Sequence, residues 1–219
     1  MTLSGKVVSA AAGLHGFDAD VTISADKAKL FKQAGFAFCV RYLTRGAGQA
    51  KSDLGADEAN GILDAGLGLM AVQHVSKSGW SPTAKLGSSY GGYAASNAQE
   101  VGLPPGINLW LDLEGVNHSA ASEDVIAYCN AWFDTVNAAG YVGGIYVGAN
   151  AVLSGDELFW RLKTQHYWQS GSAVPALPER GYQMSQRIVA GDVVNGIEID
   201  RNLTKTDSFG GAVLWLIRS

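Results

Sequence analysis

Short apolar runs alternate along this chain with longer stretches whose apolar residues recur every three or four positions. A short run apolar throughout reads as a strand buried on both faces, as in a parallel sheet. Three-to-four spacing reads as a helix with one buried stripe. Strands are expected at 14–21, 36–43, 67–75, 107–113 and 141–147. Between them lie five expected helices. The first starts after Ser24, whose hydroxyl suits an N-cap, and stops at Gly35. The others are expected at 56–65 (ended by Gly66), 88–101, 121–139 and 151–163. Helix 121–139 carries Val125, Ile126, Tyr128, Cys129, Trp132, Phe133 and Val136 on one stripe. Helix 88–101 carries small residues, Gly91, Gly92, Ala94 and Ala95.

After Lys163 the alternation thins. Segments 166–169, 181–185 and 197–200 read as three short strands with little helix between them, and 209–217 is a final apolar segment. Strand–helix units joined by short loops imply a parallel sheet, and eight strands imply closure. The expected fold is α/β, a single (β/α)8 TIM-like barrel with reduced helices in its second half. It forms one domain over residues 1–219. A doubly wound open sheet is the alternative.

Composition narrows what such a barrel does. Hydrophobic residues make up 47% of the 219, enough for a large core, whereas charged residues make up only 16% and the net charge is −4. No stripe of Lys and Arg exists to meet phosphates, so nucleic acid is not an expected partner. No apolar stretch reaches the length of a membrane span, and membrane insertion is not expected. The first fourteen residues hold a short Val-Val-Ser-Ala-Ala-Ala-Gly run, too weak for a conventional signal peptide. Cys39 and Cys129 sit in apolar surroundings and read as small buried hydrophobes. No Cys/His spacing of a structural zinc site occurs, and neither a metal nor a cofactor is expected. A monomer is expected.

In barrels of this kind chemistry gathers at the C-terminal ends of the strands. The residues that close the apolar runs are carboxylates, amides and aromatics: Asp18, Arg41, Tyr42, Gln73, His74, Asp112, Glu114, Tyr146, Trp168, Gln183 and Asp200. Flat rings and bidentate hydrogen-bonding groups are the equipment for holding sugars. Asp112-Leu113-Glu114 is the sharpest element. Residues two apart on a strand face the same side, so the two carboxylates share one space. Crowding then raises the pKa of one of them. A protonated carboxyl beside an ionised one is the requirement for acid-assisted glycoside cleavage. The plainer reading is a solvated strand end, and carboxylates on other strand ends weigh against it. Arg41 is expected to offset the negative cluster, because a buried Arg needs partners. His74 reads as a packed or supporting histidine.

With these residues in place the chain resembles the glycoside-hydrolase-like barrel family long catalogued as a domain of unknown function. More distantly it is similar to glycoside hydrolase family 25, the phage and fungal muramidases. Gly16-Phe17-Asp18, then Phe36 to Tyr42, resemble that family's opening. Leu111-Asp112-Leu113-Glu114 resembles its fourth-strand Asp-x-Glu, Gly144-Ile145-Tyr146 its fifth strand, and Tyr182-Gln183 with Ile199-Asp200-Arg201-Asn202 its closing elements. The resemblance spans about Gly13 to Asn202. It implies Glu114 as general acid with Asp18, Asp112 and Asp200 shaping and charging the site. Arg41, Gln73, His74, Tyr146, Trp168 and Gln183 are the expected substrate contacts. Asp20 and the Gln73-His74 pair have no clear counterpart in the muramidases.

The first expectation is therefore a lysozyme-like glycosidase acting on peptidoglycan or a related N-acetylated glycan at the cell wall. It could be phage-encoded and released through a holin pore, since a conventional signal is lacking. The second is a glycan-binding module on a decayed hydrolase barrel, told apart by measuring wall clearing separately from wall binding. A third is a metal-dependent phosphodiesterase using His15, Asp18, Asp20 and His74. The scarcity of Lys and Arg that could clamp a phosphate disfavours it.

Overall fold

The alternation of short apolar runs and striped segments becomes a strand–helix succession in the computed structural model, which describes residues 2–218. In chain order the elements are β1 (Lys6–Ser9), β2 (His15–Ala19), α1 (Ala25–Gln33), β3 (Phe38–Leu43), α2 (Ala56–Asp64), β4 (Gly68–Gln73), α3 (Ala84–Val101), β5 (Asn108–Leu113), α4 (Ser122–Ala138), β6 (Val142–Val147), α5 (Gly155–Arg161), β7 (Tyr167–Gln169), β8 (Met184–Arg187), β9 (Val193–Val194), β10 (Ile197–Glu198), β11 (Asp200–Thr204) and β12 (Leu214–Ile217).

Seven strands, β2 to β8, pair in parallel in chain order. β11 closes the ring by pairing antiparallel with both β8 and β2. The result is a closed eight-stranded barrel whose helices all belong to its first five units. The missing helices explain the reversed eighth strand. A parallel return needs a crossover of a dozen or more residues, and the link from β8 to β11 is of about that length but holds only the small β9–β10 hairpin. At the other end β1 pairs with β12, which reaches β4 at Leu216↔Leu69.

Side-chain alternation divides the apolar residues into two layers. Phe38, Val40, Met70, Val72, Trp110, Trp168 and Met184 point inward and fill the barrel, with Val213 and Trp215 of the C-terminal segment packed among them. Phe17, Cys39, Leu69, Leu109, Leu111 and Ile145 point outward against the helices. Both cysteines are free and buried.

The helices start and stop where local chemistry dictates. Ser24 accepts from Lys27 N and caps α1, while Gly35 leaves it at φ +91°, a conformation that favours glycine. Ser154 and Glu157 form a reciprocal capping box on α5. Small residues on α3 let α4 approach closely. A methyl group at Gly87 would sit 2.1 Å from the Tyr128 carbonyl oxygen, and one at Gly91 would sit 2.8 Å from that of Trp132. α3 begins at Ala84, four residues before the expected start, because Thr83 supplies the cap by accepting from Leu86 N.

Candidate active site

The inward positions at the C-terminal rim bring the four expected carboxylates to one mouth. Asp18 sits near the end of β2, Asp112 near the end of β5 and Glu114 just past it. Asp200 opens β11. That strand is antiparallel to the others, so its first residue lies at the same rim as their last ones, and its Cα pairs directly with Asp18. A cavity of about 140 Å³ is lined by Tyr42, Asp112, Glu114, Tyr146, Trp168, Gln186 and Asp200, with Val72 and Ile188. It shares Tyr42 and Asp200 with a second cavity of about 240 Å³ that holds Asp18, and it shares Glu114 with a third of about 330 Å³. Together they form a cleft across the barrel mouth.

Three donors fix Asp18. Asn202 Nδ2 donates at 2.7 Å, Gln186 Nε2 at 3.0 Å and the Tyr42 hydroxyl at 3.3 Å. Trp168 Nε1 donates to Asn202 Oδ1 at 2.9 Å, and the Tyr146 hydroxyl donates to Gln186 Oε1 at 2.8 Å. The donors thus stand in a connected network, which also reaches Asp200 through Gln186 Nε2 at 3.4 Å. Glu114 is placed by its backbone and by space. Trp80 Nε1 donates to its carbonyl at 2.9 Å, Gly115 follows at φ +61°, and a methyl at Gly148 would lie 2.4 Å from its Cβ.

Desolvation raises all four carboxyl groups. Asp18 is pushed up to about 7 by burial, with the Gln186 and Asn202 hydrogen bonds opposing and the Asp200 charge adding. Asp112 is raised well above the carboxylate range by burial, then by Glu114 and Asp18. One of its oxygens, Oδ1, is buried and meets no donor in the protein. Glu114 is half-buried and raised by desolvation and then by Asp200, and Asp200 is raised by desolvation and then by Glu198, Asp192 and Asp20. Asp112 lies deeper, where burial favours its protonated form, and Asp200 across the cleft adds its charge to the desolvation that raises Glu114.

Tyr146 and Trp168 line the cleft as expected. Three other expected contacts face away from it. Arg41 alternates with inward Val40 and Tyr42 and so points out of the barrel. Its Nε donates to Glu58 of α2 at 2.6 Å in a buried ion pair, and it also reaches the Ala19 and Ser52 carbonyls. Gln73 likewise points outward. It accepts from Trp132 Nε1 and donates to the Tyr90 carbonyl, both at 2.8 Å, and so ties β4 to α3 and α4. Gln183 precedes β8. It donates to Asp207 Oδ2 at 2.7 Å and to the Gln165 carbonyl, remote from the cleft. His74 touches the site through one ring only. It stacks on Tyr42 at 4.5 Å between centroids, and its Nε2 lies 2.9 Å from Asp53 Oδ1.

Tyr42, Gln186 and Asn202 stand at the site although the sequence reading did not count them among the expected catalytic residues and substrate contacts. Strict alternation on β3 would have chosen Tyr42 over Arg41. Gln186 needed a strand end two residues later than the one expected, and Asn202 needed the reversal of β11. The phosphodiesterase reading loses its geometry. His15 lines a cavity on the outer wall with Arg187 and Arg201, and among the described residues no three His, Cys, Asp or Glu side chains come together to hold a metal ion.

A closed barrel with a carboxylate-rich, aromatic-walled mouth defines the class of glycoside-hydrolase-like barrels. The chain belongs to the family described as Rv2525c-like, glycoside hydrolase-like domain, which matches residues 29–204. No curated protein matches it. The Tat-secreted protein Rv2525c of Mycobacterium tuberculosis has the same fold at 17% identity and a TM-score of 0.68, over 91% of this chain and 98% of that one. A family 25 glycosyl hydrolase of Bacillus anthracis superposes with a TM-score of 0.59 at 14% identity, over 90% and 91%. The modular autolysin LytC of Streptococcus pneumoniae, in complex with a synthetic peptidoglycan ligand, superposes with a TM-score of 0.63 at 15% identity. That match covers 90% of this chain and 48% of LytC.

Proposed function

We propose that this protein hydrolyses a β-linked, N-acetylated glycan, peptidoglycan of the bacterial wall, by acid-assisted cleavage. The observation that carries the reading is the meeting of four carboxyl groups with raised pKa values at one aromatic-walled mouth. Glu114 is more open than Asp112 beside it, and its raised pKa suits it to deliver a proton to the leaving oxygen. Asp18, whose three donors oppose the burial that raises it to about 7, ionises towards neutrality and in that form faces the positive charge that develops at the sugar carbon. Asp112 has one oxygen free of protein partners, the feature needed to position the substrate's acetamido group or a water. Tyr146 and Trp168, almost wholly buried, form the floor of the cleft beneath the sugar.

We place the action at the wall, outside the cytoplasmic membrane, by a single domain acting as a monomer. The Tat-secreted protein and the wall autolysin that share the fold support this setting, and a phage lysin released through a membrane pore would meet the same substrate. The test is mass spectrometry of fragments released from purified peptidoglycan. New reducing ends are expected from the native protein. Glu114→Gln is expected to release about 10²–10⁴-fold less while still binding the wall, since Gln keeps the shape but delivers no proton. Wall binding without any release by the native protein would mean a binding module on a decayed barrel.

A further inference from the structure

The central cavity has two ways out, and they are not alike. One leads past Tyr42 and Asp200 to the cavity that holds Asp18. The other leads past Glu114, the one residue it shares with the cavity of about 330 Å³ lined by Val75, Ser76, Ser78, Gly115, Ala149 and Asn150. This second exit is built from the loops that follow β4, β5 and β6, and the middle loop is held on both sides. Gly79 N donates to the Gly115 carbonyl at 2.7 Å and Asn117 N to that of Trp80 at 2.8 Å. Gly115 N donates to the Ala149 carbonyl at 2.8 Å and Val116 N to that of Asn150 at 3.2 Å. Trp80 and Val116 pair as in a parallel sheet. The barrel wall is thus prolonged here by a short ribbon of three segments, with Glu114 at its foot. Its outer segment carries two left-handed residues, Asn150 at φ +57° and Val152 at φ +73°. The latter conformation is costly for a β-branched side chain and persists only where the surroundings impose it.

Which way the glycan runs follows from the path of the proton. The sugar that carries the reacting carbon sits in the central cavity, between Glu114 and the carboxyl groups of Asp112 and Asp200. The oxygen that Glu114 protonates departs with the leaving sugar, so that sugar lies on the far side of Glu114. We infer that the cavity of Ser76, Ser78 and Asn150 is the subsite for the leaving, reducing-end sugar, and that the non-reducing part of the chain exits past Tyr42 and Asp200. The inference rests on the glycan-cleaving reading, with Glu114 as the acid. The lining suits such an occupant. Glu114 is its one ionisable group, and two hydroxyls and an amide supply both donors and acceptors, which match the hydroxyls of an uncharged sugar ring. A ribbon already held in place binds that ring without first having to be ordered. Binding energy gained there, away from the bond that breaks, serves to hold the leaving oxygen against Glu114.

Two substrates with the same non-reducing glycan fragment of peptidoglycan test this, one with a sugar and the other with 4-methylumbelliferone as the leaving group. The ratio of their kcat/KM values, sugar over coumarin, is expected to fall about tenfold in the triple variant Ser76→Ala, Ser78→Ala, Asn150→Gly. The gain in kcat/KM from lengthening the fragment at its non-reducing end should be the same in the native protein and the variant. Ser78 and Asn150 are exposed and Ser76 is half-buried, and glycine keeps the left-handed backbone at position 150, so the fold is not at stake. An unchanged ratio would overturn the inference. So would loss of the non-reducing gain in its place, which would mean that the chain runs the other way. Fragment release from whole peptidoglycan, measured on the same preparations, keeps the two readings apart. Release by the native protein with an unchanged ratio sinks the subsite alone. Cleavage of neither the fragments nor the wall sinks the cleavage reading, and the subsite with it.

Discussion

Depth decides which carboxyl does what at the scale of single residues. Asp112 and Glu114 leave β5 on the same side, yet Asp112 is 6% exposed and Glu114 is half open. Burial favours the protonated form of the deeper group. The charge that raises Glu114 is therefore that of Asp200. Removing a negative neighbour lowers the pKa of an acid. In Asp200→Asn the alkaline limb of the activity profile, where the acid loses its proton, should move to lower pH. In Asp112→Asn that limb should stay where it is, whatever happens to the rate. A pH series of peptidoglycan cleavage on the two variants checks this, and a shift in Asp112→Asn alone would return the coupling to the same-strand pair.

Packing between elements carries two further expectations. α3 and α4 approach so closely that a methyl at Gly87 would lie 2.1 Å from a backbone oxygen of α4, which no side-chain rotation relieves. Gly87→Ala should destabilise by about 1–3 kcal/mol or more, although alanine is the better helix former. Gly92→Ala, where the added methyl meets nothing within 4 Å, should be neutral or mildly stabilising, and urea unfolding of the pair separates packing from propensity. The Arg41–Glu58 pair lies between β3 and α2, with Glu58 also accepting from Ile23 N at 2.7 Å. Glu58→Ala strands a buried guanidinium and should cost about 3–5 kcal/mol, while Arg41→Met with Glu58→Leu should recover most of that loss. Thermal unfolding of the three proteins is the measurement. A loss of glycan affinity in the well-folded double variant would reinstate Arg41 as a site residue.

The acid mouth should leave its mark on the stability of the whole molecule. A carboxyl whose folded pKa lies above its unfolded value binds its proton more tightly when folded. Its contribution is at its most favourable below the unfolded pKa, near 4, and is lost as pH rises towards the folded one. For Asp18, raised to about 7, the loss is on the order of 4 kcal/mol between these limits, and Asp112, Glu114 and Asp200 act in the same direction. Stability should therefore fall from pH 4 towards pH 7 and beyond as Asp112 in its turn is forced to ionise. Melting curves of the native protein and Asp112→Asn should run together near pH 4 and separate above neutrality, with the variant the more stable. Curves parallel over the whole range would mean that Asp112 is not held protonated.

The first five strand–helix units were legible in the sequence because their determinants are local. Apolar periodicity, the Ser24 cap and the glycine stops act within a few residues of the elements they set, and the ends of those elements shift by four residues at most. Asp18, Asp112 and Glu114 were legible too, since a strand end is recognisable in the sequence and a barrel gathers its strand ends at one rim. Asp200 reached the expected place by another route, at the start of a reversed strand and not at the end of a parallel one. That reversal is a property of the closed ring, decided by which edges are left to pair once seven strands are in place. Which neighbours face inward was also decided there. The alternation was visible on β3, but its phase was not, and only closure around Trp110, Trp168 and Met184 turned Tyr42 towards the cleft and Arg41 towards a helix. The order of proton affinities among the four acids is likewise tertiary, because it follows burial, and burial is a distance from solvent that linear spacing does not contain.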